Sequence, residues 1–154
     1  MPKSVPNPWG AAELLDVVVR LNRWVTHHSD WALPWAQVRV LSQIAEWGQA
    51  RTSDLARAER CSQPTMTTRV QHLQAQGWIA RSTDPQDARA AMLTLTDEGR
   101  AVLADARGAR ARVLQALMAQ MDASERERLR DATEALAALL QLAYTDLPED
   151  SKAP

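Results

Sequence analysis

Apolar residues follow a helical period along nearly the whole sequence, and the pattern becomes strand-like only between residues 78 and 96. Two short β-compatible segments, residues 78–81 and 91–96, are joined there by a polar, turn-rich loop over residues 82–89. Two such segments around one loop predict a β-hairpin. The expected fold class is therefore mainly α with a small β-hairpin.

Apolar stripes and capping residues mark the helices on either side of the hairpin. Pro34 separates the first two helices because proline cannot continue a helix, and Gly77 ends the fourth. Ser62 is suited to cap the fourth helix, and Ser124, with Glu127 three residues on, predicts a capping box for the last one. Helices are expected over residues 11–28, 35–47, 52–59, 63–76, 97–121 and 124–144, the fifth being capped by Thr96 or Asp97.

Length and charge narrow the class of protein. The chain has 154 residues and a net charge of −1. Its single cysteine excludes an internal disulfide and fits a reducing cytoplasm. Residues 1–10 lack the apolar segment of a signal peptide, and no apolar run reaches the ~20 residues of a membrane span. We therefore expect a cytoplasmic protein without a membrane partner. The charge also excludes a histone-like polybasic protein, so nucleic-acid binding must depend on a local patch.

The predicted helix over residues 63–76 has a composition that suits DNA reading. It is the second of two short helices joined by a tight turn, and one helix fits the DNA major groove. It contains no acidic residue, and Gln, Thr and Arg side chains can bond base edges or contact a thymine methyl group. An ordinary polar surface helix is the alternative. The candidate reading residues are Gln63, Thr65, Thr67, Thr68, Arg69, Gln71 and His72.

These residues and those of the hairpin resemble the DNA-binding core of the MarR family of bacterial transcription regulators. The resemblance implies a winged helix-turn-helix core, flanked by dimerisation helices, that binds double-stranded DNA. The family often has a second arginine where Ala88 stands, which implies one fewer backbone contact in this chain. The matching residues are QPTMTTRV at 63–70, Leu73, Gly77, Arg81, DPQDAR at 84–89 and LTDEG at 95–99.

The loop of the predicted hairpin is suited to act as the wing. Asp87 can hold the guanidinium of Arg89 through a bidentate pair, and a lone arginine at a hairpin tip suits a narrow, electronegative minor groove. A surface Asp–Arg pair that caps a turn is the alternative. Arg81, Asp87 and Arg89 are the candidate wing contacts.

The outermost helices predict a homodimer. They cannot bury their apolar faces on residues 52–96 alone, whereas a symmetric dimer would bury them and would match a pseudo-palindromic operator. The family resemblance implies the same assembly. The expected division is residues 1–10 as an arm, 11–51 as dimerisation and pocket helices, 52–96 as the winged core, 97–147 as C-terminal dimerisation helices and 148–154 as a disordered tail.

Aromatic and basic residues gather at the junction of the first two helices. In the family that the sequence resembles, small aromatic acids bind near this junction. Tryptophan supplies flat apolar walls, and histidine or arginine can pair with a carboxylate. The alternative is that the tryptophans fill the core of a chain without phenylalanine. The candidate pocket residues are Trp24, His27, His28, Trp31, Trp35 and Arg39.

No cofactor, metal or catalytic site is expected. His27, His28 and His72 lack the spacing of metal ligands, and the sequence has no phosphate-binding loop or nucleophile elbow, so we expect no enzyme. Cys61 is interpreted as a small buried residue in the turn of the helix-turn-helix, with oxidant sensing as the alternative.

Together these patterns predict a sequence-specific, DNA-binding repressor of the MarR type that a small, aromatic acid-like ligand releases. Two alternatives stay open. One is a redox-sensing regulator that uses Cys61, and the other is a winged-helix module that binds proteins and not DNA. The salt dependence of DNA binding separates the last alternative from the main prediction.

Overall fold

The computed structural model describes residues 10–31, 33–83 and 91–146. Within these ranges the chain is mainly helical, with three short strands, as the sequence predicts for the fold class. In chain order the elements are α1 (Ala11–His28), α2 (Trp35–Trp47), β1 (Ala50–Arg51), α3 (Thr52–Ala58), α4 (Gln63–Ala75), β2 (Ile79–Thr83), β3 (Ala91–Leu95), α5 (Asp97–Met118) and α6 (Ala123–Asp146).

The apolar core lies where α2, α3, α4 and α5 meet the sheet. Leu41 and Ile44 of α2, Leu55 of α3, and Met66 and Leu73 of α4 are fully buried in it. On each helix these residues belong to a stripe with helical spacing, so each helix turns one face inward and leaves the other to solvent. The buried stripe of α4 therefore determines which of its side chains point outward.

The sheet has three strands rather than the two of the predicted hairpin. β2 and β3 pair antiparallel with Arg81 opposite Leu93, and β1 pairs with the other edge of β3. Periodicity could not reveal β1, because two residues are too few to show an alternation of polarity. Ala50 is fully buried, and Arg51 leads directly into α3. The sheet thus fixes the start of the helix-turn-helix.

The caps predicted for α4 and α5 are confirmed. The Ser62 hydroxyl accepts a hydrogen bond from the backbone N–H of Thr65 at 3.3 Å, and the Thr96 hydroxyl accepts one from that of Gly99 at 3.0 Å. Each of these bonds satisfies one of the free N–H groups in the first turn of its helix. Both helices therefore begin where the sequence predicts.

The capping box predicted for α6 is wrong by two residues. Asp122, not Ser124, caps this helix: its carboxylate accepts from the Glu125 N–H at 2.7 Å, and the Glu125 carboxylate accepts from the Asp122 N–H at 2.8 Å. Both pairs have the spacing of a capping box, but an aspartate at the cap also places its charge at the positive end of the helix.

Helices α1 and α6 leave broad apolar faces exposed. Leu15 of α1 is 64% exposed, and Leu139 and Leu142 of α6 are 54% and 59% exposed. α1 packs against α5, and the hydroxyl of Tyr144 on α6 donates a hydrogen bond to the carboxylate of Glu46 on α2. Among the described helices, none is both long and apolar enough to cross a membrane.

Candidate nucleic-acid interface and ligand cavity

Helix α4 presents the predicted reading residues to solvent. Met66, Val70 and Leu73 face the core, and of the predicted reading residues only Arg69 is half-buried. The helix carries no carboxylate, so no charge on α4 itself repels a phosphate backbone. The exposed reading residues are Gln63, Thr65, Thr67, Thr68, Gln71 and His72.

Two threonine hydroxyls of α4 donate to the backbone of their own helix. Thr67 Oγ1 donates to the carbonyl of Gln63 at 2.9 Å, and Thr68 Oγ1 donates to that of Pro64 at 3.1 Å. A hydroxyl that donates in this way keeps its acceptor lone pairs. Both threonines can therefore accept a hydrogen bond from a base amino group or contact a thymine methyl group.

Arg69 lies against the turn between α3 and α4. Its Nη1 donates to Sγ of Cys61 over 3.9 Å, and both side chains are half-buried. The backbone N–H of Cys61 in turn donates to the carbonyl of Ala56 at 3.0 Å. Arg69 thus supports the turn, which distinguishes it from the fully exposed residues of α4.

A polar groove of about 300 Å³ lies between α4 and the sheet. It brings together Gln63, Thr67 and Gln71 of the predicted reading helix and Arg81 of the predicted wing. A groove with neutral amides and a guanidinium can offer donors to base edges and a cation to a phosphate. Its lining consists of Arg51, Thr52, Ser53, Gln63, Thr67, Val70, Gln71, Gln74, Arg81 and Ala91.

One end of this groove, at the start of α3, contains three polar residues that the sequence does not predict as site residues. Arg51, Thr52 and Ser53 form the junction of β1 and α3, and they reach the groove because β1 pairs with β3. In the sequence these positions stand out only as the polar run of Thr52, Ser53 and Asp54, residue types that favour the start of a helix. The structure begins α3 at Thr52 and gives its cap, Arg51, no side-chain capping bond.

Of the three candidate wing residues, the structure describes Arg81. Its side chain is exposed on β2, at the base of the wing. Asp87 and Arg89 lie outside the described residues.

A second site is an open cavity of about 680 Å³ at the junction of α1 and α2. Of the six predicted pocket residues, His27, Trp31 and Trp35 line it. Asn22 and Arg23 of α1 also line it and were not predicted. Aromatic walls beside an arginine and a histidine are suited to a flat, anionic molecule. Asp30 brings one carboxylate to the same lining.

The other three predicted pocket residues do not line this cavity. Trp24 and His28 stack on each other with ring centroids 3.9 Å apart. The Nε of Arg39 lies 2.9 Å from the buried carboxylate of Glu59, so that Arg39 joins α2 to the end of α3. These residues lie close to the junction along the helices, but their side chains point to other faces of α1 and α2.

An arginine stacks against the tryptophans of this cavity. Trp31 and Trp35 are stacked with ring centroids 5.1 Å apart, and the guanidinium of Arg110 lies 4.8 Å from the Trp35 centroid. Arg110 Nη2 donates to Asn22 Oδ1, while its Nε is buried without a partner among the described residues. Burial lowers the pKa of Arg110. Arg110 was not among the predicted pocket residues; in the sequence it stands out as an arginine within the apolar stripe of α5.

The described residues offer no group of three or more potential metal ligands among histidine, cysteine, aspartate and glutamate. His27 and His28 adjoin each other on α1, and His72 lies on α4. Cys61 is a half-buried free thiol at the turn before α4.

The chain matches known proteins at the level of family, sequence and fold. The model of the MarR family matches residues 33–91. An HTH-type transcriptional regulator of Mycobacterium tuberculosis is 29% identical over 131 residues, which are 84% of this chain and 92% of that protein.

Two solved structures extend the match over most of the chain. A Pseudomonas aeruginosa protein described as a transcriptional regulator is 30% identical, with a TM-score of 0.67 and coverage of 85% of this chain and 94% of that one. A transcriptional regulator of Thermotoga maritima is 20% identical, with a TM-score of 0.73 and coverage of 88% and 99%. Proteins of this kind are regulators and not enzymes. By its helix-turn-helix, its sheet and these matches, the chain belongs to the MarR family of transcriptional regulators.

Proposed function

We propose that this protein is a homodimeric repressor that binds a pseudo-palindromic DNA operator and is released by a small aromatic acid. One observation carries the proposal: the exposed, carboxylate-free face of α4 borders a groove that Arg51 and Arg81 also line. In this assignment α4 reads base edges in the major groove, and the arginines hold the phosphate backbone on either side. The proposal includes a cytoplasmic location, where the protein would have direct access to its operator DNA.

Charge within the reading lobe supports DNA as the partner. The described carboxylates of α3 and of its C-terminal cap are paired: Asp54 is buried and lies 3.4 Å from the Arg57 guanidinium, and Glu59 pairs with Arg39. Their negative charge is therefore partly neutralised inside the lobe. A net charge near zero for the whole chain then remains compatible with a locally cationic surface.

Dimerisation is supported by the apolar faces of α1 and α6. These faces hold most of the large apolar side chains that the described residues expose. Exposed apolar area of this extent marks an interaction surface, and a two-fold dimer would present two copies of α4 to one duplex. The exposed residues are Leu14, Leu15, Val17, Val18, Val19, Leu21, Trp24, Leu136, Leu139, Leu140, Leu142 and Tyr144.

Release by an aromatic acid is supported by the cavity at the α1–α2 junction. Trp31 and Trp35 offer a flat apolar wall, and Arg23 and His27 offer donors to a carboxylate. Arg110 stacks behind this wall and joins it to α5. A ligand that displaces these side chains would act on the helix that follows the reading lobe in the chain.

Binding to a duplex from the upstream region of the protein's own gene tests DNA recognition. We expect the logarithm of the affinity to fall linearly and steeply with the logarithm of salt concentration, because phosphate contacts release counterions. Titration of benzoate and hydroxybenzoates should then dissociate the complex and quench tryptophan fluorescence. A flat salt response would favour the protein-binding alternative, and DNA binding that no aromatic acid relieves would contradict the release mechanism.

A further inference from the structure

The end of α4 and the start of α5 are held together by Gly77, Trp78, Thr96 and Gly99, which we call the α4–α5 joint. α4 ends in a turn in which Gly77, at φ +78°, donates to the carbonyl of Gln74 at 2.9 Å. Trp78 donates from its N–H to the carbonyl of Leu73 at 3.0 Å. This pair of bonds closes the helix and leaves the carbonyls of Gly77 and Trp78 free for other donors.

Thr96 donates hydrogen bonds to both of these carbonyls. Its hydroxyl donates to the carbonyl of Gly77 at 2.6 Å, and its backbone N–H donates to that of Trp78 at 3.1 Å. The same hydroxyl accepts from the N–H of Gly99 and so caps α5. One hydroxyl therefore bridges the end of the reading helix and the start of the helix that follows it.

Gly99 brings the two backbones into direct contact. A Cβ atom at this position would lie 2.1 Å from the carbonyl oxygen of Trp78 and 2.9 Å from its carbonyl carbon. The obstructing atoms belong to the backbone, so no side chain can turn aside to make room. Any larger residue at position 99 must move the first turn of α5 away from Trp78.

We propose that the α4–α5 joint is a specificity-determining device, in which Thr96 and Gly99 are positioning residues that set the orientation of α4 relative to α5. α5 has 22 residues and so spans ~33 Å, and it packs against α1, whose apolar face is exposed. This proposal rests on the dimer and operator proposed above: in that complex the joint sets the distance between the two DNA half-sites that the two copies of α4 can read together.

The test uses the full-length protein and a library of duplexes with randomised half-sites and every spacing between them. Gly99→Ala and Thr96→Val break the joint in two independent ways. Gly108→Ala is the matched control: it is the same change in the same helix, and its Cβ would meet only the Arg112 side chain, at 3.5 Å. Thr96→Ser keeps the bridging hydroxyl and tests rescue of the valine variant. Circular dichroism and thermal melting establish that each variant is folded.

We expect the wild type and Gly108→Ala to select one half-site sequence at one sharp spacing. Gly99→Ala and Thr96→Val should select the same half-site sequence at a shifted or broadened spacing, and should bind the wild-type duplex about tenfold more weakly or worse, as after the loss of a base contact. Thr96→Ser should regain the sharp spacing.

Two different failures are distinguishable. If the wild type selects no sequence, the proposed function itself is wrong. If the wild type selects an operator and folded Gly99→Ala and Thr96→Val select it at the same spacing and affinity, the joint is not a specificity device. Should Gly99→Ala fail to fold, Thr96→Val alone decides the question, because its side chain has the same shape as threonine and removes only the hydroxyl bridge.

Discussion

The guanidinium of Arg110, on α5, stacks over the ring of Trp35, on α2, at 4.8 Å from its centroid. Its Nε is buried without a partner among the described residues, and burial lowers the pKa of Arg110 because the cation is partly removed from water. An arginine nevertheless stays charged at neutral pH. This residue therefore couples two helices and supplies positive charge beside a cavity with aromatic walls.

Arg110→Met should weaken the binding of an aromatic acid while leaving the affinity for DNA unchanged. The Arg110 guanidinium supports the Trp35 ring from behind, and a cation–π contact contributes about 0.5–2 kcal/mol, so we expect the dissociation constant for benzoate to rise by roughly twofold to thirtyfold. Tryptophan fluorescence titration measures it. Arg107→Met, an exposed position on the same helix, is the control. Equal dissociation constants for Arg110→Met and wild type would show that the Arg110–Trp35 stack does not support the ligand cavity.

Two residues of the groove should affect DNA binding in different ways. Arg81→Ala should weaken binding to all sequences and reduce the slope of log affinity against log salt by about one unit, because one phosphate contact is lost. Gln71→Ala should instead relax the preference at one base pair, at a cost of about 1–3 kcal/mol for the preferred sequence.

Quantitative gel shifts at several salt concentrations, with the selected operator and its single-base variants, separate the two effects. Arg128→Ala on α6 removes one positive charge far along the chain from the groove and should leave both quantities unchanged. If Gln71→Ala loses affinity equally for every sequence, its assignment to base reading is wrong.

Leu139→Glu should convert the proposed dimer into a monomer. The side chain is 54% exposed on α6 in the single chain, so a carboxylate is tolerated there by the monomer but would be buried unpaired at a dimer interface. Sedimentation velocity gives the mass. Thr133→Glu adds the same charge at a polar position of α6 and should remain dimeric. A Leu139→Glu protein that sediments as a dimer would place the interface elsewhere.

Asp122→Ala should lower the free energy of unfolding by about 1 kcal/mol, the usual contribution of a helix cap. Ser124→Ala, inside the first turn of α6, should change it by less than about half of that. Urea denaturation at a fixed protein concentration compares the two. Equal losses would mean that the cap seen at Asp122 does not persist in solution.

The sequence predicted the bounds of α1 and α2 to the residue, because each has a strong apolar stripe and because Pro34 interrupts the pattern between them. It failed at β1, since a two-residue strand has no period, and at the cap of α6, where two capping boxes overlap. These are local ambiguities that only the folded chain settles.

The candidate sites were predicted less completely than the fold. Periodicity gave the exposed face of α4, but the contribution of Arg51 to the groove depends on the pairing of β1 with β3, which sequence spacing does not reveal. Arg39 was assigned to the ligand pocket from its position in the chain, whereas its contact with Glu59 turns it away. Both cases depend on long-range contacts.

The shortest element of the fold has a mechanical consequence. Because β1 hydrogen-bonds to β3 and runs without a break into α3, the strands β2 and β3 and the first helix of the helix-turn-helix are anchored to each other through one sheet. They should open together in hydrogen exchange, as one cooperative unit rather than as two. A DNA duplex would then contact α3 and the strands of the wing in a fixed relative orientation. Once one of the two has bound, binding of the other would cost little conformational entropy.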